Sequence, residues 1–189
     1  MNHLDKDLRS IQEVRDLLAQ ARQAQKALAV MTQEQMDAIT AAISRAGAQH
    51  AKRLADMAVE ETGFGRKADK EIKNRFAAGT LYEAIRDQKT HGILAEDRAH
   101  RTVDIGVPVG VVAGLVPSTN PTSTVIYKAM ICLKAGNPIV FSPHPGAVNC
   151  ISETVNVIRR AAEEAGAPAG SISCITTPTL EATNTLMRH

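Results

Sequence analysis

The sequence predicts an α/β protein in which a helical N-terminal region is followed by a partial, doubly wound parallel sheet. Through the first ninety residues, apolar side chains recur at spacings of three and four, which is typical of amphipathic helices. After about residue 91, β-rich apolar runs alternate with helical segments, which favours β-α-β units with right-handed crossovers. We therefore divide the chain into a helical part, residues 1–90, and a partial α/β part, residues 91–189, within one continuous and incomplete domain.

Four helices are expected in the helical part. Thr32 and Gln35 have the spacing of a capping box that opens the second helix. Gly63 is expected to end the third helix, because glycine readily takes the left-handed conformation found at helix ends. The fourth helix is expected from about Lys67 to Asp87. The side chains predicted to face inward are Leu8, Ile11, Val14, Leu18, Ala21, Leu28, Met36, Ile39, Ile43, Leu54, Met57, Ala58, Ile72, Phe76, Leu81 and Ile85. None of them indicates a catalytic group, so we interpret these helices as scaffold.

The α/β part alternates strands with helices. Asn120 and Pro121 predict a helix start, since Asn is a preferred N-cap and Pro is tolerated at the first helical position. That helix is expected to end at Gly136 and Asn137. Strands are predicted over 102–105, 109–116, 138–141 and 171–175, and the two remaining helices over 147–165 and 179–187.

Two polar corners follow neighbouring predicted strands. The first is Pro117-Ser-Thr-Asn-Pro121, and the second is Ser142-Pro-His-Pro145. In parallel α/β sheets, ligands bind at such strand exits, and a following helix N-terminus adds positive potential. The local sequence also allows a simpler interpretation, in which Asn120 only caps its helix and the second corner is only a rigid loop. Neither strand is followed by a G-x-G-x-x-G or P-loop motif.

Composition excludes several classes of protein. The net charge is +2 and aromatic residues make up 3%, so no nucleic-acid partner is expected. No apolar run is long enough for a membrane span, and the first residues lack a signal-peptide core, so the cytoplasm is the expected location. Three cysteines in apolar surroundings favour a reducing compartment and inert thiols. The six histidines are scattered, so no metal site is expected.

Four segments in this order resemble the aldehyde dehydrogenase superfamily, in particular its CoA-acylating branch. That branch includes acetaldehyde and propionaldehyde dehydrogenases and the aldehyde half of bifunctional aldehyde-alcohol dehydrogenases. The resemblance covers nearly the whole chain but only the N-terminal portion of such an enzyme. The matching segments are AVEETGFGRKADKEIKNRFA (58–77), VPVGVVAGLVPSTNPTST (107–124), LKAGNPIVFSPHPGA (133–147) and AAEEAGAPAGSI (161–172).

The resemblance implies that residues 91–189 form a partial Rossmann-like NAD-binding domain. It also implies a reaction in which a short aliphatic aldehyde, CoA and NAD give acyl-CoA and NADH. Asn120 and Thr119 are both candidates for the donor to the oxyanion of the intermediate. The residues that the resemblance places at the cofactor are Val116, Pro117, Ser118, Thr119, Ser142, Pro143 and His144. Ser142 stands where the hydrolytic branch usually has a lysine that grips the adenosine ribose.

The resemblance further implies that the nucleophilic cysteine and a second cofactor-binding turn lie beyond His189. The chain alone is therefore expected to be inactive, and to expose a sheet edge and an apolar face. A homo-oligomer is expected, as is contact with a bacterial microcompartment shell through the helix from Leu4 to Leu28, which extends the expected location to the microcompartment lumen. A non-catalytic interaction module and a free-standing nucleotide-binding domain are the alternative functions.

Overall fold

The computed structural model describes residues 5–189, which form helices and strands in the predicted alternation. The helices are α1 (Lys6–Leu28), α2 (Gln33–Gln49), α3 (Ala51–Thr62), α4 (Lys67–Arg75), α5 (Leu81–Ile85), α6 (Pro121–Lys134), α7 (Val148–Glu164) and α8 (Leu180–Arg188). The strands are β1 (Gly92–Asp97), β2 (Thr102–Gly106), β3 (Val112–Val116), β4 (Ile139–Pro143) and β5 (Ile172–Cys174). The first helix was predicted to extend from Leu4 to Leu28, and Leu4 lies outside the described residues.

Three of the strands form the predicted parallel sheet, in the order β3-β4-β5. Strands β3 and β4 run in register from Val112 opposite Ile139 to Val116 opposite Pro143. Gly114 lets these strands pack closely, because a Cβ atom there would come within 2.8 Å of the Phe141 ring. The sequence did not reveal β1, which pairs with β2 in a separate antiparallel hairpin.

Helices cover both faces of the sheet, which confirms the predicted fold class. On one face, Ile139 and Phe141 pack in a core with side chains of α2, α6 and α7. On the other face, Val140 and Ile175 pack with side chains of α1 and α8. The helical part and the α/β part therefore share their cores, and the division near residue 90 marks a change in secondary structure.

The helix-end signals are confirmed. Thr32 and Gln35 form the reciprocal capping box at the start of α2, and Gly63 ends α3 with a φ of 70°. One residue of the first stripe is misplaced, because Leu8 is 54% exposed. The buried side of α1 begins at Ser10, and Leu8, two positions earlier, lies on the opposite side of the helix.

The predicted orientation of the fourth helix is wrong for its first half. Ile72 and Phe76 are 65% and 61% exposed. The buried face of α4 instead carries Lys70 and Asn74, and a π-helical turn over Phe76–Thr80 separates α4 from α5. Apolar spacing misled the prediction because it assumes that polar side chains face solvent, whereas these two are buried with hydrogen-bond partners.

Glu61 joins α3 to the start of α7. Its carboxylate accepts hydrogen bonds from the backbone N–H groups of Asn149 at 2.8 Å and Cys150 at 2.7 Å. Burial raises the pKa of this carboxyl, but the backbone hydrogen bonds outweigh that effect and hold it below its ordinary value of 4.5. Glu61 therefore stabilises the fold in its ionised form.

We expect Glu61→Gln to lower the free energy of unfolding by about 1 kcal/mol at neutral pH, because the charged acceptor at the helix start is lost. A lowered folded-state pKa contributes stability above the ordinary value of 4.5, and that contribution disappears as the pH falls through the folded-state pKa. Urea unfolding from pH 7 to pH 2 measures the difference. Glu60→Gln, on the exposed side of the same helix, is the control. If Glu61→Gln lowered the free energy of unfolding by the same amount at every pH, the stabilising role of the ionised Glu61 carboxylate would be contradicted.

Both edges of the sheet, β3 and β5, are unpaired within the described part of the chain. Strand β3 has β4 as its neighbour on one side and no strand on the other. The Leu115 carbonyl is covered by Lys128, whose Nζ donates to it at 2.7 Å. Among residues 5–189, no helix combines the length and apolar character that a membrane span requires.

Candidate functional site

The two predicted polar corners lie side by side at the C-terminal ends of β3 and β4. Val116 and Pro143 occupy matched positions in the parallel register. Just beyond them, the backbone N–H of His144 donates to the Val116 carbonyl at 3.0 Å. The prediction that these corners adjoin is therefore correct.

The first corner faces solvent. Pro117 and Thr119 are exposed, Ser118 and Asn120 are half-buried, and Val116 is buried below them. Four consecutive residues after the strand are thus accessible to a ligand through their side chains or backbone.

The second corner is only partly accessible. His144 is exposed, whereas Ser142 and Pro143 are buried. The Ser142 hydroxyl lies 3.0 Å from the Thr183 hydroxyl of α8, so it links β4 to that helix. In this structure the partner of the Ser142 hydroxyl is therefore Thr183. A direct contact between Ser142 and a cofactor stays a prediction.

The imidazole of His144 has a defined acceptor. Its Nδ1 accepts from the backbone N–H of Gly146 at 3.0 Å, which places the proton of a neutral ring on Nε2. Because the residue is exposed, that Nε2–H is available to a ribose hydroxyl or a phosphate oxygen.

Asn120 does not act as a simple helix cap. It occupies the N-cap position of α6, but its side chain makes no capping hydrogen bond. Its Oδ1 instead accepts from Nζ of Lys73 at 2.9 Å. The interpretation in which Asn120 serves only its own helix is therefore wrong, and the side chain is oriented by α4.

Helix α4 also holds the backbone of the first corner. Lys70 is 4% exposed, and its Nζ donates to the Thr119 carbonyl at 2.7 Å. Burial lowers the pKa of the Lys70 ammonium, and the charge of Lys73 lowers it further. Asn74 accepts from the Thr122 hydroxyl at 2.8 Å, so a second buried polar residue holds the start of α6.

Sequence reasoning missed these contacts, although a signal was present. Lys70, Lys73 and Asn74 lie at positions i, i+3 and i+4, so three polar side chains share one side of a helix. The interpretation of this helix as scaffold was based on its apolar stripe and is incomplete, since its polar side contacts the candidate site.

An apolar cleft of about 710 Å³ opens beside the first corner. Ile72, Phe76 and Leu81 form one wall, and Tyr127 of α6 contributes to the other, with Asn120 at the border. The side chains that were expected to pack inside thus line this cleft. Local sequence patterns do not indicate this cleft, because its walls come from two separate segments of the chain, 72–81 and 117–128.

None of the three cysteines is an activated thiol. Burial raises the pKa of Cys132 to about 11 and those of Cys150 and Cys174 to about 12. Thiolates are the nucleophilic form, so these residues are inert at neutral pH, as the sequence predicted. In the described range 5–189, no three His, Cys, Asp or Glu residues cluster so as to hold a metal ion.

The fold and the two corners define a doubly wound α/β domain with two polar strand exits that adjoin at one edge of its parallel sheet. The family model described as the aldehyde dehydrogenase family matches residues 7–189. The chain belongs to that family.

Characterised relatives are longer than this chain. The bifunctional aldehyde-alcohol dehydrogenase AdhE of Escherichia coli K12 is 43% identical over 180 residues, which are 95% of this chain and 20% of that protein. An acetylating aldehyde dehydrogenase of Geobacillus thermoglucosidasius is 56% identical with a TM-score of 0.97, over 98% of this chain and 41% of that one. A propionaldehyde dehydrogenase from the fucose utilisation microcompartment of Clostridium phytofermentans is 31% identical with a TM-score of 0.77. That match covers 93% of this chain and 40% of the other. The chain thus corresponds to the N-terminal part of acylating enzymes.

Proposed function

We propose that this chain forms the N-terminal, cofactor-side half of an NAD-dependent, CoA-acylating aldehyde dehydrogenase that acts on short aliphatic aldehydes. The full reaction converts the aldehyde, CoA and NAD to acyl-CoA and NADH. The observation that carries the proposal is the pair of adjoining strand exits, with the Asn120 amide at the border of an apolar cleft.

The polar groups at the strand exits suit a nicotinamide dinucleotide. Val116, Pro117, Ser118 and Thr119 would lie along its nicotinamide side, where their backbone is exposed at the end of β3. His144 would contact its ribose or phosphate through Nε2–H, and Pro143 would support that loop. When bound, NAD supplies the hydride acceptor, and the residues named here position it.

The cleft suits the alkyl chain of an aldehyde. Ile72, Phe76 and Tyr127 provide apolar walls, while Asn120 offers a donor at the border. Asn120 or Thr119 would donate to the oxyanion that forms when a thiolate attacks the aldehyde carbon. CoA would release the acyl group as its thioester, and no residue of this chain is assigned to binding CoA.

The isolated chain is expected to be inactive in this reaction. The reaction needs a thiolate nucleophile, and burial raises the pKa values of all three cysteines far above neutrality. The nucleophile is thus proposed to come from additional polypeptide. A free-standing nucleotide-binding domain remains the alternative, and it would show an NAD-induced rise in Tm in the isolated chain.

A chimera tests the proposed function. In it, residues 5–189 replace the matching segment of the Geobacillus acetylating aldehyde dehydrogenase, whose fold over this region is nearly identical. We expect NADH formation from acetaldehyde, CoA and NAD, with the parent enzyme as the control. A chimera that has the parent's secondary structure and Tm but produces no NADH would refute the proposal.

We also propose that the chain forms a homo-oligomer through the β1–β2 hairpin. Ile93, Val103 and Ile105 on the hairpin, and Val107 and Val109 just after it, are exposed apolar side chains. Apolar surfaces of this kind mark interfaces. We expect sedimentation to give a mass above the 20.2 kDa of one chain, and Ile105→Lys to shift it toward that value. A monomer at all concentrations would contradict this proposal.

The cytoplasm or a microcompartment lumen is the proposed location. One relative is described as coming from a bacterial microcompartment, and this supports the second of these. Contact with a shell through the N-terminal helix stays a prediction, as does the alternative of a non-catalytic interaction module.

A further inference from the structure

Helix α4 presents two ammonium groups to the first corner, and they contact consecutive residues. Nζ of Lys70 donates to the backbone carbonyl of Thr119 at 2.7 Å, and Nζ of Lys73 donates to Oδ1 of Asn120 at 2.9 Å. The two lysines are three positions apart, so they lie on the same side of the helix. They hold the backbone and the side chain of one loop from one rigid element.

The contact of Lys73 fixes which end of the Asn120 amide faces Lys73. An ammonium group has three donors and no acceptor, so it can bind only the amide oxygen. The Nδ2 group must then point away from Lys73, and it makes no hydrogen bond with residues 5–189. Both residues border the apolar cleft, so this free N–H donor is available at its edge.

The contact of Lys70 fixes the peptide that precedes Asn120. Its ammonium is buried, and charge-assisted hydrogen bonds are stronger than neutral ones, particularly where water is excluded. With its carbonyl held by Lys70, the 119–120 peptide cannot rotate freely. The Cα atom of Asn120 therefore has a fixed position from which its amide projects.

We infer that Lys70 and Lys73 are positioning residues that orient the Asn120 amide as a hydrogen-bond donor toward the carbonyl oxygen of an aldehyde in the cleft. This inference rests on the proposed function for the identity of the ligand. The orientation itself is a property of the chain and is measured without any substrate. Neither lysine touches the reacting atoms.

Nuclear magnetic resonance on the full chain tests the orientation. We expect nuclear Overhauser effects from the Asn120 Hδ2 protons to side chains that line the cleft, such as Tyr127. Lys73→Met should remove the orientation, so that the two Hδ2 signals shift and these effects weaken, whereas Lys73→Arg should retain them. Lys52→Met is the control, because Lys52 is an exposed lysine paired with Asp56 on the neighbouring helix α3.

The chimera supplies the second measurement. We expect Lys73→Met to lower kcat for acetaldehyde about tenfold, because a misplaced donor costs rate, while the KM for NAD stays unchanged. Lys73→Arg should recover most of the lost kcat. If Lys73 served only the stability of the fold, variants with unchanged Tm would show neither the loss of kcat nor its recovery.

The two measurements separate the possible failures. Unchanged Asn120 signals in Lys73→Met would overturn the inference, whether or not the chimera is active. An inactive parent chimera with the expected signals would refute the proposed function alone. Altered signals with unchanged kcat would show that the orientation has no role in the reaction, and would also overturn the inference.

Discussion

Deleting residues 1–30 is expected to abolish cooperative unfolding of the chain. Helix α1 covers one face of the sheet with Val14 and Leu18, and its last residue, Leu28, packs in the core on the other face; each of the three is 5% exposed or less. Burial of each such side chain is worth about 1.5 to 3 kcal/mol, and their sum approaches the total stability of a typical domain. Glu13 adds hydrogen bonds to the loop after β5, where it accepts from Thr176 and Thr177. Urea unfolding followed by circular dichroism measures the loss.

The same experiment separates a packed helix from a docking helix. A helix that served only to bind a shell or partner would leave the rest of the chain folded after its removal. Leu8→Ser is the matched control, since Leu8 is apolar but exposed on the same helix, and we expect its unfolding midpoint to be unchanged. A truncated chain with the midpoint of the intact chain would contradict the packing role and favour an interaction module.

Asn120→Ala in the chimera is expected to lower kcat and kcat/KM for acetaldehyde together by about 100- to 1000-fold. Loss of one oxyanion donor has an effect of this size, and an interaction made only in the transition state lowers both constants equally. We expect the donor to be Asn120 and not Thr119, because Lys73 binds Oδ1 of Asn120 and leaves its Nδ2 group to donate. Steady-state NADH formation measures both constants.

Thr119→Val is the comparison, because it removes the hydroxyl and keeps the side-chain shape. We expect kcat to fall less than tenfold. The group of Thr119 that makes a defined contact is its backbone carbonyl, which accepts from Lys70, and the substitution retains that carbonyl. The reverse result, a large loss in Thr119→Val and a small one in Asn120→Ala, would assign the donor to Thr119. Equal Tm values are needed for both variants, so that stability does not enter the comparison.

The sheet and its order of elements could be predicted because they follow from local signals. The capping box at Thr32, the left-handed Gly63 and the start of α6 at Pro121 all lie where the sequence indicates. The adjacency of the two corners also follows, since sequential parallel strands are usually neighbours. These features depend on periodicity and on conformational preferences of single residues.

The polar side of α4 and the cleft could not be predicted in the same way. Lys70 is buried because Thr119, forty-nine positions later, supplies an acceptor, and no local pattern contains that partner. Ile72 and Phe76 face a cleft and not a core. Apolar residues have the same helical spacing in both situations, so the spacing could not distinguish them. Strand β1 was missed because Ala95, Glu96 and Asp97 are poor strand formers, and pairing with β2 overrides that preference.

Amide hydrogen exchange of the chimera, measured with and without NAD, tests the joint role of the two strand exits most directly. We predict that NAD slows exchange in residues 117–120 and in residues 144–147 together, because the Val116–His144 contact places both segments at one ligand. Slower exchange in only one of these segments, or only in the groove lined by Leu18, Arg22 and Val111, would contradict the account.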